Sequence, residues 1–321
     1  MDALPLDFTP LRFSSDDLPE RDRIPAWRDF FAPRVFGGEI EPLSSEPIHC
    51  RMTVRRLPGL SLVSAVNSPL RFSRTTALLA DGHDDFGLHL NSMGATVHQR
   101  GREIDCGPGD AVVVTSAEAG TTLAPSRSRF LCLNIGRAAL SSLVAHLDDA
   151  VPRRIAPDTR ALRYLLSYLR FLGEEQMPDT PGVPAAAAVH IRDLFALVLG
   201  ATRDAAAVAE RGGLRAARLA AIKRFIGANL GDGALSVNAA AALHGLTPRS
   251  VQRMFEEEGT TFSEYVLDRR LSRAHRMLTD AGYAGWTVNA IALEAGFGDL
   301  SYFNRCFRRR YGAPPNWFRG A

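Results

Sequence analysis

The chain has 321 residues, 46% of them hydrophobic, and its formal net charge at pH 7 is +3. This length is sufficient for two separate hydrophobic cores, so we expect at least two domains. The sequence has no run of about 18 apolar residues and does not begin like a signal peptide, so we expect a cytoplasmic protein without a membrane span.

The N-terminal part predicts one helix followed by many short strands. The helix is expected over residues 24–31, with Pro25 in its first turn. From about residue 49 to residue 133 the sequence consists of short apolar runs separated by turn residues such as Gly107-Pro108-Gly109-Asp110. The clearest runs are residues 60–66, 86–90, 96–99, 111–115 and 130–135. This spacing predicts a small β-barrel or β-sandwich.

Two helices are predicted to follow the strands. The first is expected over residues 162–172, where leucines repeat every three or four positions, and a segment with three prolines, residues 174–184, interrupts the pattern. The second is expected over residues 185–209. Two roles remain open for this pair: packing against the strands, or contact between the subunits of a dimer. The glycines in residues 211–213 predict a hinge into the next domain.

A ten-residue pattern occurs twice near the C-terminus. Residues 237–246, Val-Asn-Ala-Ala-Ala-Ala-Leu-His-Gly-Leu, recur 51 positions later as residues 288–297, Val-Asn-Ala-Ile-Ala-Leu-Glu-Ala-Gly-Phe. In each copy a small alanine permits close helix packing, and a glycine four positions later permits a tight turn. A second helical stretch follows each copy. The sequence therefore predicts two helix-turn-helix motifs, at about residues 236–257 and 287–310.

The first recognition helix is expected to begin at Pro248, with Thr247 as its cap. The side chains expected to reach base edges in the major groove are Arg249, Ser250, Gln252 and Arg253. Arginine suits guanine and glutamine suits adenine, because each pair forms two parallel hydrogen bonds. Val251, Met254 and Phe255 are expected to pack inward.

The second recognition helix is expected to begin at Gly298 or Asp299, and Asp299 is interpreted as a helix cap in preference to a base contact. Its candidates for DNA contact are Ser301, Tyr302, Asn304 and Arg305. Three further arginines near its end, Arg308, Arg309 and Arg310, are expected to contact phosphates, with a solvated basic surface as the alternative.

A single helix over residues 263–279 is predicted to connect the two motifs. Its apolar face consists of Leu267, Leu271, Ala274 and Leu278, and its basic face of Arg269, Arg273 and Arg276. Its length of about 25 Å is sufficient to hold two recognition helices in successive major grooves, roughly 34 Å apart. Residues 214–321 contain 15 basic and 9 acidic residues, whereas the remainder is net negative. The positive charge therefore coincides with the duplicated motif, as phosphate binding requires.

Two segments within residues 214–321 resemble a known family. They are residues 246–255, Leu-Thr-Pro-Arg-Ser-Val-Gln-Arg-Met-Phe, and residues 291–312, which begin Ile-Ala-Leu-Glu-Ala-Gly-Phe-Gly-Asp, followed by Pro314-Pro315. With them, residues 235–318 resemble the DNA-binding domain of the AraC/XylS family of bacterial transcription regulators. That family usually has serine before its final proline, so Pro314 is a small departure at a structural turn.

More loosely, residues 20–140 resemble the cupin-like effector-sensing domain of the branch that includes regulators of aromatic degradation. There a helix matching residues 27–31 precedes the barrel, and residues 100–110 match a barrel hairpin. The resemblance implies that a small organic effector, with aromatic compounds as one candidate class, binds this domain and changes how the C-terminal domain engages promoter DNA. It also implies activation through contact with RNA polymerase. We expect a homodimer and no cofactor or metal.

A cupin-like domain makes a metal-dependent enzyme fused to a DNA-binding domain the alternative function. Its obvious ligands would be His83, His89 and His98, but their spacing lacks a His-x-His pair, and residues 110–115 contain no histidine. His89 is the one candidate for effector contact. Strand alternation leaves open whether it faces an internal cavity or solvent, and a purely structural role is preferred to contact with the effector.

Two further classes of protein fit the sequence less well. A DNA-repair protein with a methyl-accepting cysteine would need a zinc-binding cluster, and Cys50, Cys106 and Cys132 lack that spacing. A purely architectural DNA-binding protein would leave about 200 N-terminal residues without a role.

We therefore predict an α+β multidomain protein with three regions. Residues 1–150 would form a cupin-like β-barrel with flanking helices, which senses the effector. Residues 151–213 would form a helical dimerisation or linker region, and residues 214–321 an all-α DNA-binding domain.

Overall fold

The computed structural model describes residues 10–31, 37–174 and 183–319. The chain divides into two compact units, Met1–Leu214 and Arg215–Ala321. Most of the proline-containing segment predicted to interrupt the helices, residues 175–182, lies outside the described residues.

The first unit is built on antiparallel strands. In chain order the strands are β1 (Leu11–Ser14), β2 (Glu39–Pro42), β3 (Cys50–Leu57), β4 (Leu60–Asn67), β5 (Leu70–Arg74), β6 (Phe86–Asn91), β7 (Ala95–Gln99), β8 (Arg102–Cys106), β9 (Ala111–Thr115), β10 (Gly120–Ala124), β11 (Ser128–Ile135) and β12 (Arg153–Ile155). They form a seven-stranded sheet in the order β1-β3-β4-β11-β6-β9-β12 and a five-stranded sheet in the order β2-β5-β10-β7-β8. Each of the five predicted apolar runs lies within one of these strands.

The two sheets pack against each other through their apolar faces. Ile40 and Leu70 of the smaller sheet share one buried cluster with Met52 and Val63 of the larger sheet, and Trp27 is buried in the same cluster. The predicted cupin-like β-architecture is confirmed, with one correction: the sheets are not closed into a continuous barrel. The larger sheet ends in the short strands β1 and β12, and short edge strands offer little backbone for further pairing.

The hairpin between β7 and β8 has a two-residue turn. Gln99 pairs with Arg102, and the two residues between them, Arg100 and Gly101, have φ angles of 53° and 67°. Two successive left-handed residues give a turn whose twist matches that of the flanking strands.

The helices of the first unit correct two predictions. They are α1 (Glu20–Phe31), α2 (Arg137–Leu140), α3 (Arg160–Glu174), α4 (Val183–Leu199) and α5 (Arg203–Arg211), followed by α6 (Gly213–Ala228), most of which belongs to the second unit. Because α1 begins at Glu20, Pro25 lies inside the helix rather than in its first turn. The helix predicted over residues 185–209 is two helices, because Gly200 has a left-handed φ of 93° and Thr202 caps a new helix.

The described residues of the second unit form helices joined by turns and loops, without β-strands. After α6 come α7 (Val237–Leu243), α8 (Pro248–Glu256), α9 (Phe262–Thr279), α10 (Val288–Glu294) and α11 (Leu300–Tyr311). Two buried clusters form its core, one with α6, α7 and α8, the other with α10 and α11. The helix α9 contributes Phe262 and Val266 to the first cluster and Leu271 and Met277 to the second, so it forms a scaffold shared by both. None of the described helices is both long and apolar enough to cross a lipid bilayer.

Candidate DNA interface and effector cavity

The first recognition helix, α8, begins as the sequence predicts. Thr247 caps it by accepting a hydrogen bond from the backbone nitrogen of Ser250 at 3.2 Å, and Pro248 occupies its first position. Val251 and Phe255 are fully buried, which fixes the rotation of the helix about its axis. The opposite face is therefore presented to solvent.

The α8 side chains that are predicted to contact bases differ in their exposure and in their hydrogen-bond partners. Arg249, Gln252 and Arg253 are exposed, whereas Ser250 is half-buried and its hydroxyl lies 2.8 Å from that of Thr247. Nε of Arg253 lies 3.8 Å from a carboxylate oxygen of Glu257. Exposed pairs of this kind contribute little, so the guanidinium can exchange Glu257 for a DNA partner.

The second recognition helix, α11, is capped by Asp299, whose carboxylate accepts from the backbone nitrogen of Tyr302 at 2.6 Å. The interpretation of Asp299 as a cap is thereby confirmed. Phe303 and Phe307 are buried. The remaining predicted contacts are all exposed, namely Ser301, Tyr302, Asn304, Arg305, Arg308 and Arg309.

Arg310 differs from the two arginines before it. Its Nη2 donates to Oδ1 of Asp268 on α9 at 2.9 Å. This pair connects α11 to the scaffold helix. Because a guanidinium has five N–H donors and the Arg310 side chain is 53% exposed, Arg310 can keep this pair and still donate to a phosphate.

Close helix packing supports both motifs. Ala241 of α7 and Ala292 of α10 are each 1% exposed, as the repeated pattern predicts. Ser236 and Thr287 cap these supporting helices. The two motifs therefore share their local construction as well as their sequence pattern.

The two turns are constructed differently. Gly245 and Gly296 both have left-handed φ angles, 62° and 98°. A Cβ atom at Gly245 would meet nothing within 4 Å, whereas one at Gly296 would collide with the carbonyl oxygen of Leu230. The turn of the second motif thus packs directly against the segment that follows α6.

Arg270 was not among the predicted site residues, but its hydrogen bonds hold α9 against the segment that follows α6. Its Nε donates to the carbonyl oxygen of Leu230 at 2.9 Å and its Nη2 to that of Asp232 at 3.2 Å. Arg273, predicted as part of a basic face, donates to Glu294 of α10 at 2.5 Å. No sequence signal identifies Arg270, because its acceptors are backbone carbonyls.

Between the motifs lies an open groove of about 580 Å³. It is bordered by Gln252 and Glu256 of α8, Arg270 of α9 and Tyr302 of α11. The two recognition helices therefore face a common concavity within the second unit.

The first unit contains two small cavities between its sheets. The first, of about 50 Å³, is bordered mainly by apolar side chains, and the second has a volume of about 40 Å³. The side chains of Phe72, His89, Val97 and Thr122 border both cavities. These four residues form a shared wall.

His89 faces this interior rather than the bulk solvent, which answers the question that strand alternation left open. Its ring packs edge-on against Phe130, with 5.5 Å between centroids. Burial lowers the pKa of His89 to about 4, so the imidazole is neutral at pH 7.

The other two candidate metal ligands, His83 and His98, each lie beside a carboxylate and do not form a cluster with His89. His83 lies 3.5 Å from a carboxylate oxygen of Asp81, and His98 lies 3.5 Å from one of Glu103. Within the described part of the chain, no group of three or more His, Cys, Asp or Glu side chains is arranged to hold a metal ion.

Comparison with known proteins identifies both units. Residues 27–200 match the model of the AraC-binding-like domain, and residues 240–321 match that of a helix-turn-helix domain. The transcriptional activator RhrA of Rhizobium meliloti (strain 1021) is 30% identical over 316 residues, which cover 97% of this chain and 96% of RhrA. The transcriptional activator NphR of a Rhodococcus species is 27% identical over 70% of this chain and 66% of its own length.

Among solved structures, the fold is similar to that of the AraC-like transcriptional activator CuxR. The TM-score is 0.51 at 18% sequence identity, over 89% of this chain and 100% of the CuxR chain.

Proposed function

The chain belongs to the AraC family of transcription regulators, and on this premise we propose that it is a transcriptional activator controlled by a small organic effector. The observation that carries the proposal is the pair of capped recognition helices, each with an exposed polar face, on the shared scaffold helix α9. The relatives RhrA and NphR are both activators, which supports the sign of regulation. The comparisons do not support a metal-dependent enzyme.

We propose that α8 and α11 enter successive major grooves. In α8, Arg249, Gln252 and Arg253 would read bases, with Ser250 in a lesser role because its hydroxyl is engaged by the cap. The corresponding residues of α11 would be Ser301, Tyr302, Asn304 and Arg305. Arg308 and Arg309 would contact phosphates near the end of α11. The exposure of these side chains and the positive charge of residues 214–321 support this division.

The remaining parts of the proposal concern partners and location. We propose that residues 1–150 sense the effector, with His89 in the cavity wall, and that residues 151–213 connect two subunits of a homodimer. The exposed Val189 on α4 and Val208 on α5 support an apolar contact there. The DNA-bound protein would recruit RNA polymerase in the cytoplasm.

Selection of bound sequences from a random DNA library tests the DNA-binding proposal. The full-length protein should enrich a site with two blocks of preferred bases about 10 base pairs apart, because successive major grooves on one DNA face are one helical turn apart. Gln252→Ala should relax preference within one block and Asn304→Ala within the other. Enrichment of a single short block, or relaxation of the same block by both variants, would contradict the proposal.

A further inference from the structure

The walls of the first cavity provide no positive charge for an acidic ligand. Among the described residues that border it, none is lysine or arginine. Its one acidic neighbour, Asp110, is 3% exposed and is already engaged: Oδ2 accepts from Nε of Arg154 at 2.8 Å and from the backbone nitrogen of Gly107 at 2.7 Å. A charged ligand would therefore lose its hydration without gaining a counter-charge, which is costly in an apolar site.

Two asparagine side chains and one serine side chain at the first cavity already have hydrogen-bond partners within the protein. Nδ2 of Asn91 donates to the hydroxyl of Ser128 at 2.9 Å, and Oδ1 of Asn91 accepts from the backbone nitrogen of Met93 at 2.9 Å. Oδ1 of Asn67 accepts from the Cys50 thiol at 3.1 Å. Most of the remaining border consists of Leu70, Phe72, Leu90, Val97, Val112 and Phe130.

The second cavity has one cationic side chain, Arg74, and one carboxylate, Glu118, in its border, and both are already paired. Glu118 accepts from Nε and Nη2 of Arg100 at 2.7 and 2.5 Å. Arg74 is 5% exposed and donates to both carboxylate oxygens of Asp81, at 2.6 and 3.0 Å. It also donates to the carbonyl oxygens of Gly37 and Ser116. The pKa of Asp81 is lowered to about 2 by this pairing, so the carboxylate stays ionised and an anionic ligand would have to displace it.

The size of the cavities limits the ligand as well. A cavity that holds benzene measures roughly 150 Å³, whereas these two measure about 50 and about 40 Å³. Only the shared wall of Phe72, His89, Val97 and Thr122 borders both. Displacement of that wall would create one space for a molecule with a single ring, and His89 and Thr122 could hydrogen bond to its polar group.

We propose that the effector is a small uncharged molecule with an apolar body of about one ring, and that its binding merges the two cavities. This inference rests on the proposed sensing role of the first unit. It specifies the ligand by charge and size, and it distinguishes the site from one that recognises a carboxylate or an amine.

Three ligands of nearly identical shape test the charge requirement. Benzamide, benzoate and benzamidine carry charges of zero, minus one and plus one at pH 7.5, and their binding to the full-length protein can be measured by ligand-observed NMR. We expect benzamide to bind at least tenfold more tightly than either ion. Phe72→Ala, which removes part of the shared wall, should increase benzamide affinity at least tenfold and keep this order.

Phe13→Ala is the matched control. Phe13 packs on the same apolar core from β1 and borders neither cavity, so its truncation should reduce stability without increasing benzamide affinity. Binding of either ion as tightly as benzamide would overturn the proposal, and so would failure of all three ligands to bind Phe72→Ala. Binding of each sample to its selected DNA site is measured in parallel. Protein that retains DNA binding but binds none of the probes would leave the regulator function intact and refute only this inference.

Discussion

Gly245 and Gly296 occupy equivalent turns of the two motifs, but they should differ in their tolerance of substitution. The reason is the position of the carbonyl oxygen of Leu230. It accepts from Arg270 at 2.9 Å and lies against the Cα of Gly296. Any side chain at Gly296 would collide with this backbone atom and with the guanidinium that binds it. Gly245, at the same place in the first motif, has open space around it.

We therefore expect Gly296→Ala to destabilise the protein far more than Gly245→Ala. Left-handed backbone alone costs alanine roughly 1–2 kcal/mol, and this is the full cost expected at Gly245. Gly296→Ala adds a collision with backbone, so the total should exceed roughly 3 kcal/mol. Urea unfolding followed by circular dichroism compares the two variants. Equal losses of stability would show that the contact with Leu230 is not present in solution.

His89 should make the stability of the first unit depend on pH. In the unfolded chain the imidazole gains a proton as the pH falls through about 6.5, whereas burial lowers its pKa in the folded unit to about 4. The unfolded state thus binds the proton first, and stability decreases as the pH falls from about 6.5 towards 4. A difference of this size corresponds to roughly 3 kcal/mol at most.

His89→Leu should remove the loss of stability that protonation of His89 causes between pH 6.5 and pH 4. The pH dependence that other groups contribute should remain. The measurement is the free energy of unfolding between pH 7 and pH 4. His98→Gln, on β7 of the smaller sheet with about half of its side chain exposed (47%), is the control and should retain the part of the pH dependence that His89 contributes. A pH profile that is unchanged in His89→Leu would place the imidazole in contact with solvent.

At the scale of whole helices, the start of α8 is expected to contact bases and the end of α11 is expected to contact phosphates. Gln252 and Arg253 lie in the first turns of a capped helix, whereas Arg309 lies near the end of its own. Gln252→Ala should relax preference at one or two base pairs, at a cost of roughly 1–3 kcal/mol at the selected site. Arg309→Ala should weaken binding to all sequences alike and reduce the salt dependence by about one unit.

Binding of both variants to single-base changes of the selected site, at several salt concentrations, separates these effects. Arg308→Ala, which removes the other proposed phosphate contact near the end of α11, should weaken binding to all sequences in the same way. If Arg309→Ala changes preference at one base pair and Gln252→Ala changes none, the roles assigned to the two positions are reversed.

Local patterns predicted most of these elements, because strand alternation, helix periodicity and capping residues each act within a few positions. The five strand runs and the caps Thr247 and Asp299 belong to this class. The order of strands in the two sheets is a long-range property, which no local pattern contains.

The same distinction applies to the candidate site. Exposure of Gln252 follows from helix periodicity, so the sequence was sufficient to predict it. The engagement of the Ser250 hydroxyl by Thr247, and of Arg310 by Asp268, depends on rotamers and on packing between helices. The break at Gly200 was missed because the alanine-rich sequence on both sides continues a helical pattern.

For the molecule as a whole, the packing of α6 determines the shortest C-terminal fragment that should fold on its own. Leu219, Ile222 and Ile226 of α6 belong to the same buried cluster as Val251 and Phe255 of the first recognition helix. Burying each large aliphatic side chain contributes roughly 1.5–3 kcal/mol. Three of them together are comparable with the total stability of a small domain, about 5–15 kcal/mol.

We expect a fragment of residues 214–321 to fold and bind the selected DNA site, and a fragment of residues 229–321 to lose the first helix-turn-helix motif. Circular dichroism, thermal unfolding and footprinting at low salt compare the two fragments with the full chain. Ile222→Ala in the longer fragment is an intermediate case, because truncation of a buried isoleucine costs about 2–5 kcal/mol without removing the helix. If the longer fragment protects no DNA while the full chain does, the proposed boundary at residue 214 is wrong. If the shorter fragment binds as well as the longer one, α6 is not needed for the DNA-binding core.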